Sequence, residues 1–384
     1  MKRKICIVIT ARPSYSRIKT ALSAIKDHPD LELQLVVAGS ALLDRYGNAV
    51  QYIENDGFII NEKVFMVLEG ENPTSMAKTT GLGVMELANI FYNLQPDVVI
   101  SVADRYETIA TAIAASYQNI PLAHIQGGEV TGNIDEKVRH AVTKLADIHL
   151  VASEGAKERV VKMGEDADYV FNTGCPSIDL AHEILQNPEL DFDPFQKYGG
   201  VGSNVDLTKD FLVVMQHPVT TEYLESRKQI AETLEAINEL KMPTLLFWPN
   251  VDAGADGTST GIRSFREINN PTHIHFFKNM EPTDFLRILN KSACLIGNSS
   301  VGIRECAYLG VPVVNIGSRQ HRRERAMNVI DCDYSKAQIL EAVKKHIGHG
   351  HYQSNHLYGD SKAGEKIATI LSNIPLRFHK TISY

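Results

Sequence analysis

Ionisable side chains crowd the stretch 126–140, which reads QGGEVTGNIDEKVRH. Glu129 directly follows a predicted buried strand and two glycines at 127–128, which would allow the backbone to approach a ligand closely. Asp135 and Arg139 are four residues apart, so they are neighbours on a helix. Acids at a helix start often only favour the helix dipole, but this does not explain why Glu129 follows a strand. The stretch therefore predicts one side of an active site.

A second such stretch lies in the C-terminal half, where a short helix is predicted between two buried strands. The apolar runs 293–296 and 311–316 have the length of buried strands. Between them, Ser299 and Ser300 begin a helix predicted over 301–309. The first N–H groups of a helix lack partners within it, so this turn offers N–H groups and hydroxyls to an anion.

Charged residues around this helix indicate which anion it would bind. Glu305 lies about one turn into the helix, where a carboxylate can accept hydrogen bonds from sugar hydroxyls. Four arginines follow the second strand: Arg319, Arg322, Arg323 and Arg325. A capped helix with a solvated basic loop would explain the serines alone. The whole pattern favours a cradle for a nucleoside diphosphate.

Further candidate side chains directly follow other predicted strands. Arg12, Asp104 and His217 each stand just beyond a buried strand. Loops at the carboxyl ends of parallel strands are where such sheets bind ligands. On position alone, Arg12 is equally compatible with a surface arginine and His217 with a structural histidine. No GxGxxG sequence follows the first strand, which argues against the usual dinucleotide site.

The elements that position these residues alternate regularly between strand and helix. The chain begins with a predicted strand at 4–10, a loop, and a helix that starts near Ser16. A later helix, predicted over 70–92, contains Gly81 and Gly83, which we expect to interrupt it. Regular alternation of this kind predicts parallel, doubly wound sheets.

The length predicts two domains, because a single core stops growing at about 250–300 residues and the chain has 384. The strand–helix alternation runs through 1–186 and again through 209–360. The segment 187–208 is rich in Pro, Gly and Asp and is predicted as the linker. The last segment, 361–384, is predicted to join the first domain. The predicted fold class is therefore α/β, with two Rossmann-like, doubly wound domains that face a cleft (the GT-B type). The second domain would bind the nucleotide, and the first would hold the sugar and the acids.

The composition excludes several kinds of partner. The net charge is −7 at pH 7, so nothing global favours nucleic acid or an anionic membrane. No run approaches the ~18 apolar residues of a membrane span. The five cysteines are odd in number and form no CxxC pair, which favours buried free thiols in a reducing compartment. We therefore expect a cytoplasmic protein.

Motifs along the whole chain resemble one family, the hydrolysing UDP-N-acetylglucosamine 2-epimerases of sialic-acid and related nonulosonate biosynthesis. The similarity includes the epimerase half of the animal bifunctional epimerase/kinase. The matching segments are RPSYS at Arg12, YGN at Tyr46, DRYE at Asp104, HIQGGEVTGNIDEKVRHAVTKLA at His124, QHPVTT at His217, PNVDAG at Pro249, IGNSSVGIRE at Ile296, NIGSRQ at Asn315 and YGD at Tyr358.

The resemblance implies a reaction in which UDP-GlcNAc and water give UDP and N-acetylmannosamine. UDP would leave by anti elimination across C1–C2 to form a 2-acetamidoglucal, and water would then add with the opposite configuration at C2. This needs a base for the C2 proton, cations or an acid for the departing phosphate, and a proton donor on the other face of C2. Crowded carboxylates suit it, because repulsion and burial can keep one protonated near neutral pH. The resemblance implies no metal and no cofactor, and a homodimer or dimer of dimers.

The resemblance also assigns roles to residues. The implied acid–base groups are Asp104, Glu129 and Asp135, with His217 as an acid or phosphate ligand. The implied substrate-binding and UDP-binding residues are Arg12, Arg105, Gln126, Arg139, Asn250, Ser299, Ser300, Glu305 and Arg319.

Two positions depart from the family pattern. Relatives often have glutamate where this chain has Gln126, and an acid where it has Ser14. Glutamine cannot act as a base, so Gln126 is expected to bond the substrate or Glu129, which takes the catalytic role. Both changes are compatible with a modified substrate, UDP-2,4-diacetamido-2,4,6-trideoxyglucose.

Two alternative functions remain, a GT-B glycosyltransferase and a nucleotide-sugar-binding regulator without chemistry.

Overall fold

In a computed structural model of the protein, the chain forms two compact units. The first comprises Met1–Glu129, Ile134–Leu180 and Tyr358–Tyr384, and the second comprises Val130–Asn133 and Ala181–Leu357. The residues that the structure describes are 1–43, 49–69, 73–103, 105–131, 134–249 and 254–383.

A parallel sheet of seven strands forms the centre of the first unit. The strands are β1 (Arg3–Ile9), β2 (Leu31–Ala38), β3 (Glu62–Val64), β4 (Val98–Val102), β5 (Leu122–Ile125), β6 (Ile148–Val151) and β7 (Val170–Asn172). Their order is β3-β2-β1-β4-β5-β6-β7. Strands β2 and β3 are thus added on one side of β1, and β4 to β7 on the other side. This reversal between β1 and β4 creates a crevice at the carboxyl ends of the strands.

Helices cover both faces of this sheet. They are α1 (Arg12–Asp27), α2 (Ala49–Asn55), α3 (Pro73–Leu94), α4 (Thr108–Tyr117), α5 (Ile134–Leu145), α6 (Glu154–Lys162) and α7 (Pro176–Gln186). Strand β1 shows why two layers are needed, because its side chains alternate between two cores. Ile5 and Ile7 belong to the core under α1, whereas Cys6 and Val8 belong to the core on the opposite face.

The second unit repeats the arrangement with one antiparallel edge strand. Its helices are α8 (Pro194–Tyr198), α9 (Ser226–Leu240), α10 (Ala255–Asn269), α11 (Pro282–Lys291), α12 (Ser300–Ile303), α13 (Glu305–Leu309) and α14 (Lys336–His349). Its strands are β8 (Val201–Gly202), β9 (Leu212–Met215), β10 (Thr244–Phe247), β11 (Ile274–Phe277), β12 (Cys294–Gly297), β13 (Val313–Ile316) and β14 (Val329–Cys332). The order is β14-β13-β12-β9-β10-β11-β8, so the direction reverses between β9 and β12.

The last helix, α15 (Ala363–Asn373), belongs to the first unit. Its buried side chains Ile367 and Leu371 join the core under α1. The backbones of α1 and α15 approach closely, since a Cβ on Gly364 would lie 2.7 Å from the carbonyl oxygen of Thr20. The Asp179 carboxylate accepts from the first N–H groups of α15, 2.9 Å from Ala363 N and 2.8 Å from Gly364 N.

The predicted fold class is confirmed as α/β with two doubly wound units, but several predicted elements change. Helix α1 begins at Arg12 rather than near Ser16, because a proline at the first helical positions favours an earlier start. The helix predicted over 301–309 divides at Arg304, whose φ of −100° and ψ of −69° separate α12 from α13. The segment predicted as a linker, 187–208, contains α8 and β8, and β8 pairs with β11.

All five cysteines are free and buried, as predicted: Cys6, Cys175, Cys294, Cys306 and Cys332. Burial raises the pKa of the Cys6 thiol to about 12, so it stays protonated at neutral pH. Among the described helices, none combines the length and apolar character needed to cross a membrane.

Helix α3 runs without a break through Gly81 and Gly83, contrary to expectation. A Cβ on Gly81 would meet nothing within 4 Å, whereas one on Gly83 would lie 2.6 Å from Met66 Cε and 3.0 Å from Ala110 Cβ. The flexible end of Met66 can move aside, but Ala110 Cβ is fixed to α4, so the close approach of α3 to α4 disfavours a side chain at Gly83 and not at Gly81.

We predict opposite effects of alanine at these two glycines. Gly81→Ala should raise the free energy of unfolding by about 0.5–1 kcal/mol through helix propensity. Gly83→Ala should lower it, because overpacking costs about 1–3 kcal/mol and exceeds that gain. Urea unfolding followed by circular dichroism measures both. Equal stabilisation by the two substitutions would show that the packing at Gly83 is not limiting.

Candidate active site

A buried histidine fixes the backbone at the end of β4. His124 Nε2 lies 2.9 Å from the carbonyl oxygen of Ala103, and Nδ1 lies 3.1 Å from Thr143 Oγ1. Since a carbonyl only accepts, Nε2 carries the proton and Nδ1 accepts from the hydroxyl. Ala103 has a φ of +61°, which is rare without a glycine. His124 therefore holds a strained turn directly before Asp104, which lies outside the described residues.

The two glycines after β5 are required by the protein's own atoms. A Cβ on Gly127 would lie 2.9 Å from both His124 Nδ1 and Thr143 Oγ1. A Cβ on Gly128, at a φ of +76°, would lie 2.4 Å from the carbonyl oxygen of Ala156. The sequence predicts these glycines for the close approach of a ligand, and in the structure the neighbours that exclude a side chain belong to α5, α6 and β5.

Arginines from two helices hold the backbone around Glu129. Arg139 on α5 is 1% exposed and donates from Nη1 to the Glu129 carbonyl oxygen at 2.8 Å. Arg159 on α6 donates to the Gly128 carbonyl oxygen at 3.1 Å. The Glu129 side chain is 4% exposed. Arg139 thus fixes the backbone that carries a buried carboxylate, a positioning contact that the spacing alone did not reveal.

The first turn of α5 carries Asp135, which is partly buried. One residue later, Glu136 Oε1 lies 3.3 Å from His140 Nε2, which is four residues further along the helix. Asp135 therefore begins the helix whose next turn fixes Glu129 through Arg139.

Gln126 occupies a strained position at the end of β5, with a φ of +67° and 2% exposure. Its Oε1 accepts from Arg17 Nη1 at 3.2 Å, and its Nε2 donates to Cys175 Sγ at 2.8 Å. Of the two expected partners, the substrate and Glu129, Glu129 is not among the described hydrogen-bond partners of the Gln126 side chain. Neither Arg17 nor Cys175 was a predicted site residue.

Two more predicted arginines lie in the first unit. Arg12, in the first turn of α1, is 7% exposed, with its guanidinium 4.5 Å from the ring centroid of Tyr52. No acid occupies that turn. Arg105 donates from Nε to Glu107 Oε1 at 2.9 Å. Both guanidinium groups are thus held by neighbouring side chains.

In the second unit, the Asn298 side chain clamps the backbone of His217. The His217 N–H donates to Asn298 Oδ1 at 2.7 Å, and Asn298 Nδ2 donates to the His217 carbonyl oxygen at 2.8 Å. The pairing of β9 with β12 brings the two residues together, since Gly297 is opposite Met215. A Cβ on Gly297 would lie 2.1 Å from the Met215 carbonyl oxygen, so only glycine fits there.

The arginine cluster after β13 divides into separate contacts. Arg319 donates to the Asn298 carbonyl oxygen at 3.3 Å. Arg323 donates to Gln320 Oε1 at 3.0 Å, and Arg325 pairs with Asp331 at 2.9 Å. Arg322 is exposed. Of the four predicted arginines, Arg319 is the one whose described contacts reach the turn after β12.

The serine turn is supported by an arginine that the sequence analysis passed over. Ser299 is the N-cap of α12, and its Oγ accepts from Val301 N at 3.4 Å. Ser300 Oγ accepts from Arg304 Nη2 at 2.8 Å. Arg304 is 2% exposed, so the turn carries a buried positive charge directly beneath its hydroxyls.

Glu305 is a buried carboxylate at the start of α13, with 8% exposure. Within the part of the chain that the structure describes, its Oε2 has no hydrogen-bond partner. Arg304 Nε lies 4.0 Å away. A buried acceptor without a partner is unfavourable, and this is the arrangement expected of a carboxylate that accepts from a ligand hydroxyl.

The predicted site residues thus fall into two sets, one in each unit. The first set is Arg12, Arg105, Gln126, Glu129, Asp135 and Arg139, and the second is His217, Ser299, Ser300, Glu305 and Arg319. Asp104 and Asn250 lie outside the described residues. Five further residues that hold the site residues in place were not among the predicted ones: His124, Arg17, Cys175, Asn298 and Arg304. Four of them lie inside or beside the quoted motifs, and Cys175 has no such signal.

Comparison with known proteins decides the family. Residues 23–372 match the family described as UDP-N-acetylglucosamine 2-epimerase. This chain belongs to that family. A relative from Legionella pneumophila, named UDP-N,N'-diacetylbacillosamine 2-epimerase (hydrolyzing), is 34% identical over 98% of this chain and 97% of its own.

Two further proteins show the same likeness. A Campylobacter jejuni protein, named GDP/UDP-N,N'-diacetylbacillosamine 2-epimerase (hydrolyzing), is 31% identical over 86% of this epimerase-family chain and 85% of its own. The crystal structure of UDP-GlcNAc 2-epimerase from Neisseria meningitidis bound to UDP-GlcNAc superposes with a TM-score of 0.81. It covers 96% of this chain and 100% of its own, at 18% identity, and therefore shows the fold.

We predict that the Glu305 side chain contributes to UDP affinity. Glu305→Ala should weaken UDP binding by about 1–3 kcal/mol, the scale for removing a partner of a buried polar group. Isothermal titration calorimetry measures it. Glu341→Ala, at an exposed position of α14, is the matched control and should bind UDP normally. Unchanged affinity in the Glu305 variant would reject its assignment to the ribose.

Proposed function

We propose that this member of the family is a hydrolysing UDP-N-acetylglucosamine 2-epimerase, which converts UDP-GlcNAc and water into UDP and N-acetylmannosamine. The observation that carries the proposal is the Glu129 carboxylate, which is 4% exposed, lies in the turn after β5, and has its backbone fixed by Arg139. A buried, positioned carboxylate is suited to remove or supply a proton at C2. Family membership supports the reaction class, and the names of the 34% and 31% identical relatives support hydrolysis.

In this mechanism the first unit supplies the acid–base groups. Anti elimination removes the C2 proton while UDP leaves C1, and hydration returns a proton to the opposite face of C2. Proton transfer on two opposite faces of C2 requires more than one acid–base group, so Glu129 acts with Asp104 and Asp135. Gln126 has no ionisable group and contributes only hydrogen bonds. Arg12 and Arg105 stabilise the charge that develops on the departing phosphate.

The second unit supplies the nucleotide site. Ser299, Ser300 and Arg319 hold the diphosphate, and Glu305 holds the ribose. His217 follows β9, and its backbone is fixed by Asn298 on both sides. A histidine fixed in this way is suited to contact the phosphates or to donate a proton to the leaving group.

A second candidate substrate is UDP-2,4-diacetamido-2,4,6-trideoxyglucose, also called UDP-N,N'-diacetylbacillosamine. It is favoured by the names of two relatives, 34% and 31% identical to this chain. Gln126 and Ser14, 2% and 3% exposed in the first unit, stand where an acid is common in the family and are candidates for this difference.

The reaction is tested by NMR of each UDP sugar with the enzyme in D2O. We expect free 2-epimerised sugar with deuterium at C2, because the C2 proton is exchanged with solvent between elimination and hydration. Transfer that requires an added acceptor would instead indicate a glycosyltransferase, and binding without turnover would indicate a regulator. The ratio of the two rates identifies the preferred sugar.

We predict that each proposed acid is needed for turnover but not for UDP binding. Asp104→Asn, Glu129→Gln and Asp135→Asn should each lower kcat by roughly 10²–10⁴-fold, the contribution of a positioned acid or base. UDP affinity should not change, because the proposed UDP residues belong to the second unit. A variant blocked only in hydration should release 2-acetamidoglucal.

Glu136→Gln is the matched control for these variants. It makes the same isosteric change one residue from Asp135, in a side chain paired with His140 and 27% exposed, and should turn over normally. Near-normal turnover of both Glu129→Gln and Asp104→Asn would show that the acid–base assignment is wrong. His217 with a bound water would then be the next candidate.

A further inference from the structure

The orientation of the Gln126 carboxamide follows from the chemistry of its neighbours. Arg17 has five N–H donors and no acceptor, so the atom that faces its Nη1 at 3.2 Å must be the oxygen. The amide nitrogen therefore faces Cys175 Sγ at 2.8 Å, and the sulfur must accept. The order Arg17, Gln126, Cys175 is a one-way chain of hydrogen bonds that ends on a thiol.

Cys175 is itself held rigidly. It is fully buried, and its backbone N–H donates to the Tyr358 carbonyl oxygen at 2.7 Å. Its Sγ lies 2.9 Å from Ser177 Oγ. A thiol that accepts a hydrogen bond from Gln126 can donate its own proton to this hydroxyl. The sulfur then acts as an acceptor in one bond and as a donor in the other.

We propose that Cys175 is a positioning residue for the reaction: by accepting from Gln126 Nε2, it holds the carboxamide at the end of β5 with its oxygen toward Arg17. This inference rests on the proposed function. Gln126 lies three residues before Glu129, at a backbone φ of +67° that few residues adopt. Fixing its side chain stabilises that conformation and therefore the turn that leads to Glu129.

Loss of the sulfur would act through the amide. At 2% exposure, Gln126 Nε2 has little access to water, and a buried donor without an acceptor is unfavourable. The amide must then move toward another acceptor, and the Arg17 guanidinium moves with it. Misplacement of ~1 Å can lower turnover by about 10²-fold.

The test compares three single variants. Cys175→Ala removes the acceptor, Cys175→Ser keeps one, and Cys6→Ala removes the same atoms from another fully buried cysteine of the same unit. We expect Cys175→Ala to lower kcat for UDP release by about 10-fold or more with UDP affinity unchanged. Cys175→Ser should recover most of this loss, and Cys6→Ala should lower the melting temperature without lowering kcat.

A double-mutant stability cycle measures the contact between Gln126 and Cys175 without any substrate. It compares the melting temperatures of wild type, Cys175→Ala, Gln126→Leu and the double variant. The leucine side chain has no N–H to donate to the sulfur. Cys175→Ala should therefore lower the melting temperature by about 2–4 °C when Gln126 is present, and by much less in the Gln126→Leu background. Equal shifts in both backgrounds would overturn the proposed contact.

The kinetic outcomes are equally decisive. Normal turnover of Cys175→Ala, or equal losses of kcat in Cys175→Ala and Cys6→Ala, would overturn the positioning role. If wild type releases UDP from neither sugar, the proposed function fails and the role of Cys175 in turnover fails with it. The stability cycle would still report whether the Gln126–Cys175 bond exists, so the two failures are distinguishable.

Discussion

The pairing of β1 with β4 in the first unit and of β9 with β12 in the second is the constraint on which the candidate residues of each unit depend. Each pair is parallel and marks the point where its sheet reverses direction, so the loops that follow the two strands separate above a crevice. The consequence is visible in the second unit, where His217 and Asn298 are 81 positions apart in sequence yet exchange two backbone–side-chain hydrogen bonds. Neither loop would have this conformation without the strand beside it.

The strand–helix pattern of this chain was sufficient to predict the fold, because buried parallel strands are continuous apolar runs and their order follows from short, right-handed crossovers. It also placed Arg12 and His217 at strand ends. The segment 187–208 was mispredicted as a linker because α8 and β8 are too short to show a period. The break at Arg304 could not be predicted either, since the helical periodicity continues through it.

Side-chain contacts were the part of the site that composition could not reveal. The arginines after β13 look equivalent in sequence, but Arg319 reaches the Asn298 carbonyl oxygen, whereas Arg323 bonds Gln320 in the same loop and Arg325 pairs with Asp331 in β14. Likewise, the sequence indicates only that Gly128 would allow a ligand to approach, and the structure shows that the Ala156 carbonyl oxygen also excludes a side chain there. Both distinctions depend on which element packs opposite, and that is set by tertiary structure.

Asn298, His124 and Arg139 share one physical role, which is to satisfy buried backbone groups beside the proposed reacting residues. Asn298 bonds both backbone groups of His217, His124 bonds the Ala103 carbonyl oxygen, and Arg139 bonds the Glu129 carbonyl oxygen. A buried carbonyl or N–H without a partner costs about 1–3 kcal/mol, so each such bond makes one loop conformation more stable than its alternatives. The loops at the carboxyl edges therefore obtain their rigidity from polar side chains rather than from apolar packing. Asn298, His124 and Arg139, each 0–1% exposed, are thus buried polar residues whose hydrogen bonds fix the backbone next to the residues proposed to do the chemistry.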